Sequence, residues 1–341
     1  MRWYTTFGAV EITEQLLRLG RRGAEWRPFC AAAGVCHRGY SARLQRAMVD
    51  FGSEDSFARA VARLWEHYEV AVPVESLRQQ TLRHGRSIAT LPGAQAVKPA
   101  STLITQMDGS MIPVMQPGCG EDARKGKQLF WREVRLCVAR PKGSVAGVYG
   151  ATLGSAQTAA WLWQEVASGA GLTASSYVHG LGDGADWIVD KFTENFGNQG
   201  RYLLDFYHVS EYLAAAAKTT VAEKQRQTWR RRQQGRLLNG QTAQVFRALR
   251  GQLEPPEISE APVRSAYNYL RQRREQLGYQ EAREQELPIG SGEIESGHRH
   301  VIQQRLKRSG CWWKQANAQA MLNLRVARAN NLWNQHWTAS N

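Results

Sequence analysis

The chain is 341 residues long and carries a formal charge of +14, from 44 lysines and arginines against 30 acidic residues. This length suits about two domains of ordinary size, each with its own hydrophobic core. Hydrophobic residues make up 43% of the chain, which excludes a disordered protein, and no apolar run approaches the ~18–20 residues that span a bilayer. The five cysteines, with no signal-peptide pattern after Met1, indicate a reducing compartment.

Residues 1–98 are predicted to form a helical, DNA-binding region. Apolar residues recur at helical spacing in three segments, with a serine before each of the first two: residues 41–48, 56–68 and 74–85. The third segment follows a helix and a short turn, as a helix-turn-helix recognition helix does, so Arg78 and Arg83 are candidate DNA contacts. A helical hairpin without DNA contacts is the alternative.

Residues 99–208 predict a mixed sheet with helices packed on it. The order is three strands, helix, strand, helix, strand, at residues 103–115, 131–139, 147–153, 155–167, 177–181, 186–196 and 201–208. Because the three leading strands can pair as a meander before the alternation begins, the predicted fold class is α/β.

Residues 209–288 are predicted to form a polar helical insertion, and residues 289–341 two further helices, at 291–309 and 312–333. The net charge is +5 over residues 1–100, −1 over residues 101–208 and +10 over the remainder. A near-neutral middle between basic flanks indicates flanks that bind a polyanion and a middle that performs carboxylate chemistry. A mildly basic protein without a polyanionic partner is the alternative.

Two aspartates end predicted strands, and each is followed by glycine: Asp108 and Asp183. If the two strands are neighbours, the carboxylates meet at one edge of the sheet, and Glu295 on a later helix completes a set of hard oxygen ligands. Such ligands suit Mg²⁺ or Mn²⁺. Two of these ions ~3.5–4 Å apart can activate a water or a 3′-hydroxyl and stabilise the leaving oxygen of a phosphodiester. An Asp-Gly pair is also a common turn signal, so each aspartate alone has a structural explanation.

Four segments carry a resemblance to a known family: Asp183-Gly-Ala-Asp186-Trp-Ile, Leu204-Asp205-Phe-Tyr-His208-Val-Ser-Glu-Tyr-Leu, Gly290-Ser-Gly-Glu-Ile-Glu295-Ser-Gly-His298 and Gln304-Arg-Leu-Lys-Arg-Ser-Gly310-Cys-Trp-Trp. Together they resemble the ISKra-type insertion-sequence transposases, which are DDE enzymes with an RNase H-like core, distantly similar to the Mutator-like group. The resemblance extends over about residues 60–330.

The resemblance implies a bacterial, cytoplasmic, nucleoid-associated enzyme that uses two Mg²⁺ or Mn²⁺ ions. It would cut the ends of its mobile element in double-stranded DNA and join the freed 3′-hydroxyls to target DNA, as a homodimer or higher oligomer. A structure-specific RNase H-fold endonuclease without strand transfer and a non-catalytic, transposase-derived DNA-binding protein are the alternatives. The expected organisation is a DNA-binding region at 1–98, a catalytic core at 99–208 and 289–341, and the insertion at 209–288.

Matched residue by residue, the resemblance implies Asp108, Asp183 and Glu295 as the three catalytic acids and metal ligands. Asp205-Phe-Tyr-His208 fits the Cys/Asp-x-x-His signature that Mutator-like enzymes carry on the fifth strand. Asp205 is therefore an alternative second acid. The RNase H-like order favours Asp183, because it places the second acid at the end of the strand after the first helix. Asp205 and His208 then orient ligands or contact DNA.

The choices of second and third acid leave rivals. Asp186 is a weaker candidate for the second acid. Glu293 competes with Glu295, but helical residues two apart point about 200° from each other, so one of them faces the site. Glu293 has a sufficient role in complementing the helix dipole, whereas Glu295 shares a face with His298, a further candidate for orienting the ligands.

The remaining candidate DNA contacts are basic side chains in the insertion and near Glu295: Arg230, Arg231, Arg232, Arg299, Arg305, Lys307 and Arg308. The last four lie on or near the Glu295 helix, where the scissile phosphate has to approach. The three-arginine run lies in the insertion, where flanking DNA can bind, and a solvated helix face is its alternative. Each phosphate contact would steepen the salt dependence of DNA binding.

Overall fold

The computed structural model describes residues 1–18, 20–21, 23–35, 39–91, 98–118 and 126–338. The chain divides into two compact units. The first, here the helical unit, comprises Met1–Thr90, Ile112–Arg132 and His300–Asn341. The second, here the sheet unit, comprises Leu91–Met111 and Glu133–Arg299. The insertion predicted from the sequence therefore belongs to the same unit as the sheet, while the chain from His300 onward belongs to the same unit as the N-terminal helices.

The chain begins with two small hairpins, formed by β1 (Arg2–Thr5) with β2 (Gly8–Glu11) and by β3 (Leu17–Arg18) with β4 (Glu25–Trp26). The prediction of an all-helical N-terminal region is wrong here. Trp3 pairs with Val10 across the first hairpin, and aromatic and β-branched residues favour strands. Gly8 begins β2 at φ +101°, a conformation that other residues rarely adopt, which lets the chain reverse within two residues.

Four helices follow: α1 (Pro28–Ala33), α2 (Ala42–Glu54), α3 (Phe57–Tyr68) and α4 (Val74–Ser87). The last three confirm the predicted helices. The hydroxyls of Ser41 and Ser56 accept the backbone N–H groups of Leu44 and Arg59 at 3.2 and 3.3 Å, so both serines are N-caps. Apolar side chains at three-to-four spacing on α2, α3 and α4 meet in one buried core around Leu64.

The sheet unit is built on five strands and two connecting helices: β5 (Thr102–Gln116), β6 (Gln128–Pro141), β7 (Val148–Thr152), α5 (Ala156–Gly169), β8 (Tyr177–Gly182), α6 (Asp186–Phe196) and β9 (Gly200–Leu204). The strand order across the sheet is β7-β6-β5-β8-β9. Strand β8 is parallel to both β5 and β9, and β6 is antiparallel to β7. The predicted mixed α/β fold and its order of elements are confirmed.

One predicted strand end and the predicted position of one aspartate at a strand end are wrong in this region. The strand predicted at 201–208 ends at Leu204, because Asp205 is the N-cap of the next helix and places His208 in its first turn. Asp108 does not end its strand, since β5 continues to Gln116. It nevertheless lies just beyond Gln106, the last residue of β5 that pairs with β8.

The predicted helical insertion consists of α8 (Glu223–Leu238), α9 (Thr242–Arg250), α10 (Pro262–Gln272) and α11 (Tyr279–Glu284), preceded by α7 (Phe206–Thr220). Side chains alternate between the two faces of the sheet, as the two-residue period of a strand requires. Val178 and Tyr202 lie in the core with α5 and α6, whereas Leu181 and Leu203 lie in the core with α7 and the insertion. The insertion is therefore packed onto one face of the sheet.

The C-terminal region contains α12 (Gly292–Gly297), a π-helical turn (His298–Gln303), α13 (Gln304–Leu306), α14 (Gln315–Ala329) and α15 (Trp333–Thr338). The regular helix predicted at 291–309 is thus interrupted by a π-helical turn, which begins three residues after Glu295. Such π-helical turns are frequent at functional sites. The helix predicted at 312–333 ends early, near Asn331, which adopts φ +57°. In the part of the chain that the structure describes, no helix is both long enough and apolar enough to cross a membrane.

Helix α4 is covered by α14 as well as by α2 and α3. A Cβ atom on Gly85 would lie 2.3 Å from the carbonyl oxygen of Ala320, so the two helices approach too closely for any other residue. The Asn323 side chain donates a hydrogen bond to the Gly85 carbonyl at 3.0 Å. The exposed residues of α4 are Val74 and Ser87 at its ends and a narrow stripe between them: Glu75, Gln79, Arg83 and Arg86.

We expect the stability of the helical unit to fall as the pH is lowered from about 6.5 to 4, because His84 is buried in it. Burial lowers the pKa of His84 to about 4, and the charges of Arg83 and His336 act in the same direction. In the unfolded chain the imidazole has a pKa of about 6.5, so the unfolded state binds more protons in this window. The cost approaches about 3 kcal/mol at the acid end.

Urea unfolding of wild type and His84→Gln at pH 7 and pH 4.5 measures this contribution. The variant should lose less stability between the two pH values than the wild type does. His67→Gln, at an exposed histidine of α3, should keep the wild-type difference. Equal pH dependence in wild type and His84→Gln would show that His84 is not its source.

Candidate active site

Three aspartates lie in one row across the ends of neighbouring parallel strands. Gln106 of β5 is aligned with Leu181 of β8, and Leu181 with Leu203 of β9. Two residues further along each chain come Asp108, Asp183 and Asp205. Asp108 lies within β5, Asp183 and Asp205 follow the last residues of β8 and β9, and all three line one cavity with residues of α7.

The turn that carries Asp183 is held at several points. Its Oδ1 accepts the Ala185 N–H at 3.0 Å, and its carbonyl accepts the Tyr269 hydroxyl. Arg273 donates through Nε to the next carbonyl, that of Gly184, at 2.7 Å. Gly184 adopts φ +76°, and a Cβ there would lie 2.5 Å from Leu204, so this turn requires glycine. Burial is the main cause that raises the pKa of the Tyr269 phenol, so Tyr269 stays a proton donor to the turn.

Asp205 is buried, and both of its carboxylate oxygens accept backbone N–H groups. Oδ1 accepts from His208 at 2.8 Å and caps α7, while Oδ2 accepts from Ser291 at the start of α12. The carboxylate therefore links the end of β9 to the first residues of two helices. Each carboxylate oxygen of Asp205 accepts one N–H group, whereas Oδ2 of Asp183 accepts none from the described residues, and the choice of Asp183 as the second acid stays a prediction.

Gln106 is a residue that the sequence reasoning missed. It is 1% exposed, and its Oε1 accepts the backbone N–H of Ile294 at 2.9 Å. Asp205 thus accepts the N–H group of Ser291, the N-cap residue of α12, and Gln106 adds a second acceptor for the Ile294 N–H, which also lies 3.1 Å from the Ser291 carbonyl. The sequence offered one sign of this role: Gln106 is a polar amide side chain within the largely apolar run that precedes Asp108.

The structure separates the two rival glutamates of α12. Glu293 forms an ion pair with Arg140, with Oε2 2.8 Å from Nε, and both side chains are largely buried. Glu295 is exposed, and its carboxylate has no ion pair or hydrogen bond with the part of the chain that the structure describes. Glu295 rather than Glu293 therefore reaches the cavity beside the aspartates.

A cavity of about 220 Å³ unites these groups, and its lining includes the side chains of Asp108, Asp183, Asp205, His208, Glu211, Ser291 and Glu295. Every lining residue belongs to the sheet unit. Among the described residues, no three or more His, Cys, Asp or Glu side chains are grouped so that they could hold a metal ion. The cavity instead presents carboxylates from β5, β8 and α12 separately.

Two histidines flank the carboxylates. His298 is 5% exposed, and its Nε2 lies 3.1 Å from Asp108 Oδ2, without the alignment of a hydrogen bond. His208 lies 3.6 Å from Glu211, and its ring contacts Tyr269 edge-on at 5.7 Å between centroids. His208 lines the cavity and His298 contacts Asp108, while their predicted roles in orienting ligands stay predictions.

The basic side chains of α4 are partly engaged. Arg78 pairs with Glu75, with Nε 2.7 Å from Oε2, and Arg83 donates to Gln45 at 2.6 Å. Arg83 lies on the exposed stripe, whereas Arg78 is half-buried. Their contact with DNA stays a prediction, and the stripe that carries Arg83 begins with an acidic residue.

The prediction that Arg305 contacts DNA is wrong, because the side chain is 1% exposed. Its guanidinium lies between the rings of Phe57 and Trp313, at 4.8 and 4.9 Å from their centroids, and donates to the Gly52 carbonyl at 3.1 Å. Two aromatic faces and a carbonyl acceptor draw this cation into the helical unit. Spacing along α13 does not reveal such partners.

The other predicted contacts differ in availability. Arg308 is held by Asp55 at 3.0 Å and by the Glu54 carbonyl at 2.7 Å. Five further side chains lie on the surface of their own units: Arg230 is half-buried, and Arg231, Arg232, Arg299 and Lys307 are exposed.

A model of an uncharacterised protein family, UPF0236, matches residues 159–338. The matched region contains Asp183, Asp205 and Glu295, while Asp108 precedes it. No curated protein matches the chain. Because the match extends over more than half of the sequence, the protein belongs to the UPF0236 family.

Proposed function

We propose that this protein is a DDE transposase with an RNase H-like core, which cuts the ends of an insertion sequence and joins the 3′-hydroxyls to target DNA. One observation carries the proposal: acidic side chains from β5, β8 and α12 line a single cavity at the ends of parallel strands. The sheet order, with a meander followed by two parallel strands, supports the RNase H-like assignment. So does the family, which often occurs in transposase-like proteins.

Mg²⁺ or Mn²⁺ is the cofactor that this proposal requires, and the donors that line the cavity are mainly carboxylate oxygens. Carboxylate oxygens are hard ligands, and Mg²⁺ is usually held by one or two carboxylates together with waters and substrate phosphates rather than by a closed protein cage. Asp108, Asp183 and Glu295 supply carboxylates from separate elements of one cavity, which leaves room for phosphate oxygens between them. Two ions bound there would activate the attacking hydroxyl or water and neutralise the leaving oxygen.

The chain's own residues position the reacting groups. Asp108 and Asp183 hold their carboxylates side by side through the register of β5 and β8. Gln106 and Asp205 fix the first turn of α12, so that Glu295 faces the same cavity. His298 lies against the Asp108 carboxylate and limits its rotation. The scissile phosphodiester would enter where Glu295 is exposed.

Double-stranded DNA is the partner that this proposal requires. The excess of 14 positive charges provides an attraction to phosphate that is independent of sequence. Arg299 is exposed within four residues of Glu295, so it is placed to contact the strand that enters the cavity. Action as a homodimer or higher oligomer on paired DNA ends is part of the proposal.

The test incubates purified protein and Mg²⁺ with a labelled duplex that carries the element end and with a supercoiled target plasmid. A transposase yields labelled ends covalently joined to the plasmid. Nicked duplex without joined product would instead identify a structure-specific endonuclease, and binding without cleavage would identify a non-catalytic DNA-binding protein. The DNA that flanks the gene is first searched for short inverted repeats, which would supply the element end for this substrate.

A further inference from the structure

A groove in the insertion is lined by arginines that the sequence reasoning did not select. It has a volume of about 660 Å³ and lies where α9, α10 and the 3-10 turn Arg274–Gln276 meet. Its lining includes four arginines and two aromatic residues: Arg247, Arg250, Arg271, Arg274, Phe246 and Tyr267. All of them belong to the sheet unit, and the groove is separate from the carboxylate cavity.

The positive charge of this groove is almost uncompensated. Glu275 is its one acidic lining residue, and it lies 3.6 Å from Arg274 in an exposed pair, which contributes little. The guanidinium groups of Arg247, Arg250 and Arg271 are exposed and have no partner among the described residues. Like charges gathered without counter-charges repel one another, and a polyanion would relieve that repulsion.

Not every arginine of this region lacks a partner. Arg264, on α10, donates to the Pro255 carbonyl at 2.7 Å. Arg273, the residue directly after α10, donates to the Gly184 carbonyl at 2.7 Å. These side chains hold the protein's own backbone. Arg247 and Arg250 instead lie three apart on α9, where helical spacing places them side by side on one face of the groove.

The aromatic side chains suit a nucleic-acid backbone better than a small anion. The rings of Phe246 and Tyr267 meet edge to face at 5.8 Å between centroids, one from each helix, and both are half-buried in the lining. They give an apolar surface to the groove, which Arg247 and Arg250 line from α9 and Arg271 lines from α10. Sugar and base edges can pack on such a surface while the flanking phosphates meet the guanidinium groups.

We propose that this groove binds the sugar-phosphate backbone of DNA, independently of sequence, at a place distinct from the scissile phosphate. The inference rests on the proposed function, since it adds a second DNA contact to the same enzyme. Helix α10 connects the two places. Tyr267 and Arg271 face the groove, while Tyr269 and the following Arg273 hold the turn that carries Asp183. DNA in the groove is thereby held at a defined position relative to Asp183.

The test compares a groove variant with a charge-matched control in the full-length protein. The groove variant is Arg247→Gln with Arg271→Gln. The control is Lys224→Gln with Arg201→Gln, which removes two exposed cations of the same unit outside the groove. Binding of a fluorescein-labelled random duplex is followed by anisotropy in EDTA over a series of salt concentrations, so that no catalysis enters the measurement.

The groove variant should bind roughly 10–100-fold more weakly near physiological salt, and the slope of log K against log salt should fall by about 2 in magnitude. The control should remain within about threefold of wild type. Wild-type affinity and slope in the groove variant, or an equal loss in the control, would overturn the proposal. Cleavage is assayed separately. If the wild-type protein binds DNA through the groove but does not cut it, the proposed transposase activity is wrong and the proposed DNA binding by the groove is still supported.

Discussion

Replacing Asp183 by asparagine is expected to abolish Mg²⁺-dependent cutting of DNA, and Asp108→Asn and Glu295→Gln should do the same. Each substitution keeps the size of the side chain and removes the negative charge that a divalent cation needs. The loss should exceed the roughly 10–100-fold that removal of an outer partner of a metal ligand costs. Labelled element ends, resolved on a denaturing gel, measure it.

The structure supplies a matched control for this experiment. Glu293→Gln removes an acid of the same helix, two residues from Glu295, but from a side chain that pairs with Arg140 rather than facing the cavity. This variant should retain cutting well above that of Glu295→Gln. All the variants should bind duplex DNA with nearly wild-type affinity. Normal cutting by Asp183→Asn, together with none by Asp205→Asn, would contradict the assignment of the second acid.

Asp205→Asn should destabilise the sheet unit by about 1–3 kcal/mol, the cost of one buried N–H group without an acceptor. The carboxamide keeps one acceptor oxygen but places an NH₂ group against one of the two N–H donors that Asp205 now receives. Native-state hydrogen exchange should therefore show faster exchange at the amide of either His208 or Ser291, and a lower urea concentration should unfold the variant.

Asp186→Asn is the control for Asp205. Its carboxylate is 89% exposed and pairs with Arg273 at 3.0 Å, a surface interaction worth about 0–1 kcal/mol. It should exchange and unfold nearly as the wild type does. If Asp205→Asn keeps its stability and its amide protection but loses cutting, Asp205 acts in the chemistry rather than as a connector.

Local patterns were enough to predict most of the sheet unit. The β-type runs and the helical spacing depend on neighbours within a few residues, and so does the capping role of Ser41. The proximity of Asp108 and Asp183 also followed from the sequence, because parallel strands that are neighbours in a sheet end at the same edge. These inferences need only the spacing of apolar residues along helices and strands and the direction in which the strands run.

Long-range partners account for what the sequence did not reveal. The local sequence around Arg305 is typical of a phosphate-binding residue, but its guanidinium contacts Phe57, which lies some 250 positions earlier in the chain. Glu293 and Glu295 differ because Arg140 lies beside one of them. The groove arginines come from two helices separated by a loop with two prolines, so no local run marks them as the Arg230–Arg232 run is marked. Tertiary contacts decide which charges remain available.

The shared register of β5, β8 and β9 has a consequence for how this protein can change. Each aspartate follows a residue paired in the sheet, Gln106, Leu181 or Leu203, by two positions, so the number of residues in between determines where it lies. Adding or deleting one residue between Val178 and Asp183 would turn the second acid to the opposite side of the sheet. Loops and helices around the cavity can therefore vary in length far more freely than the few residues that lead to each acid, and transplanting the site requires moving strands and acids together.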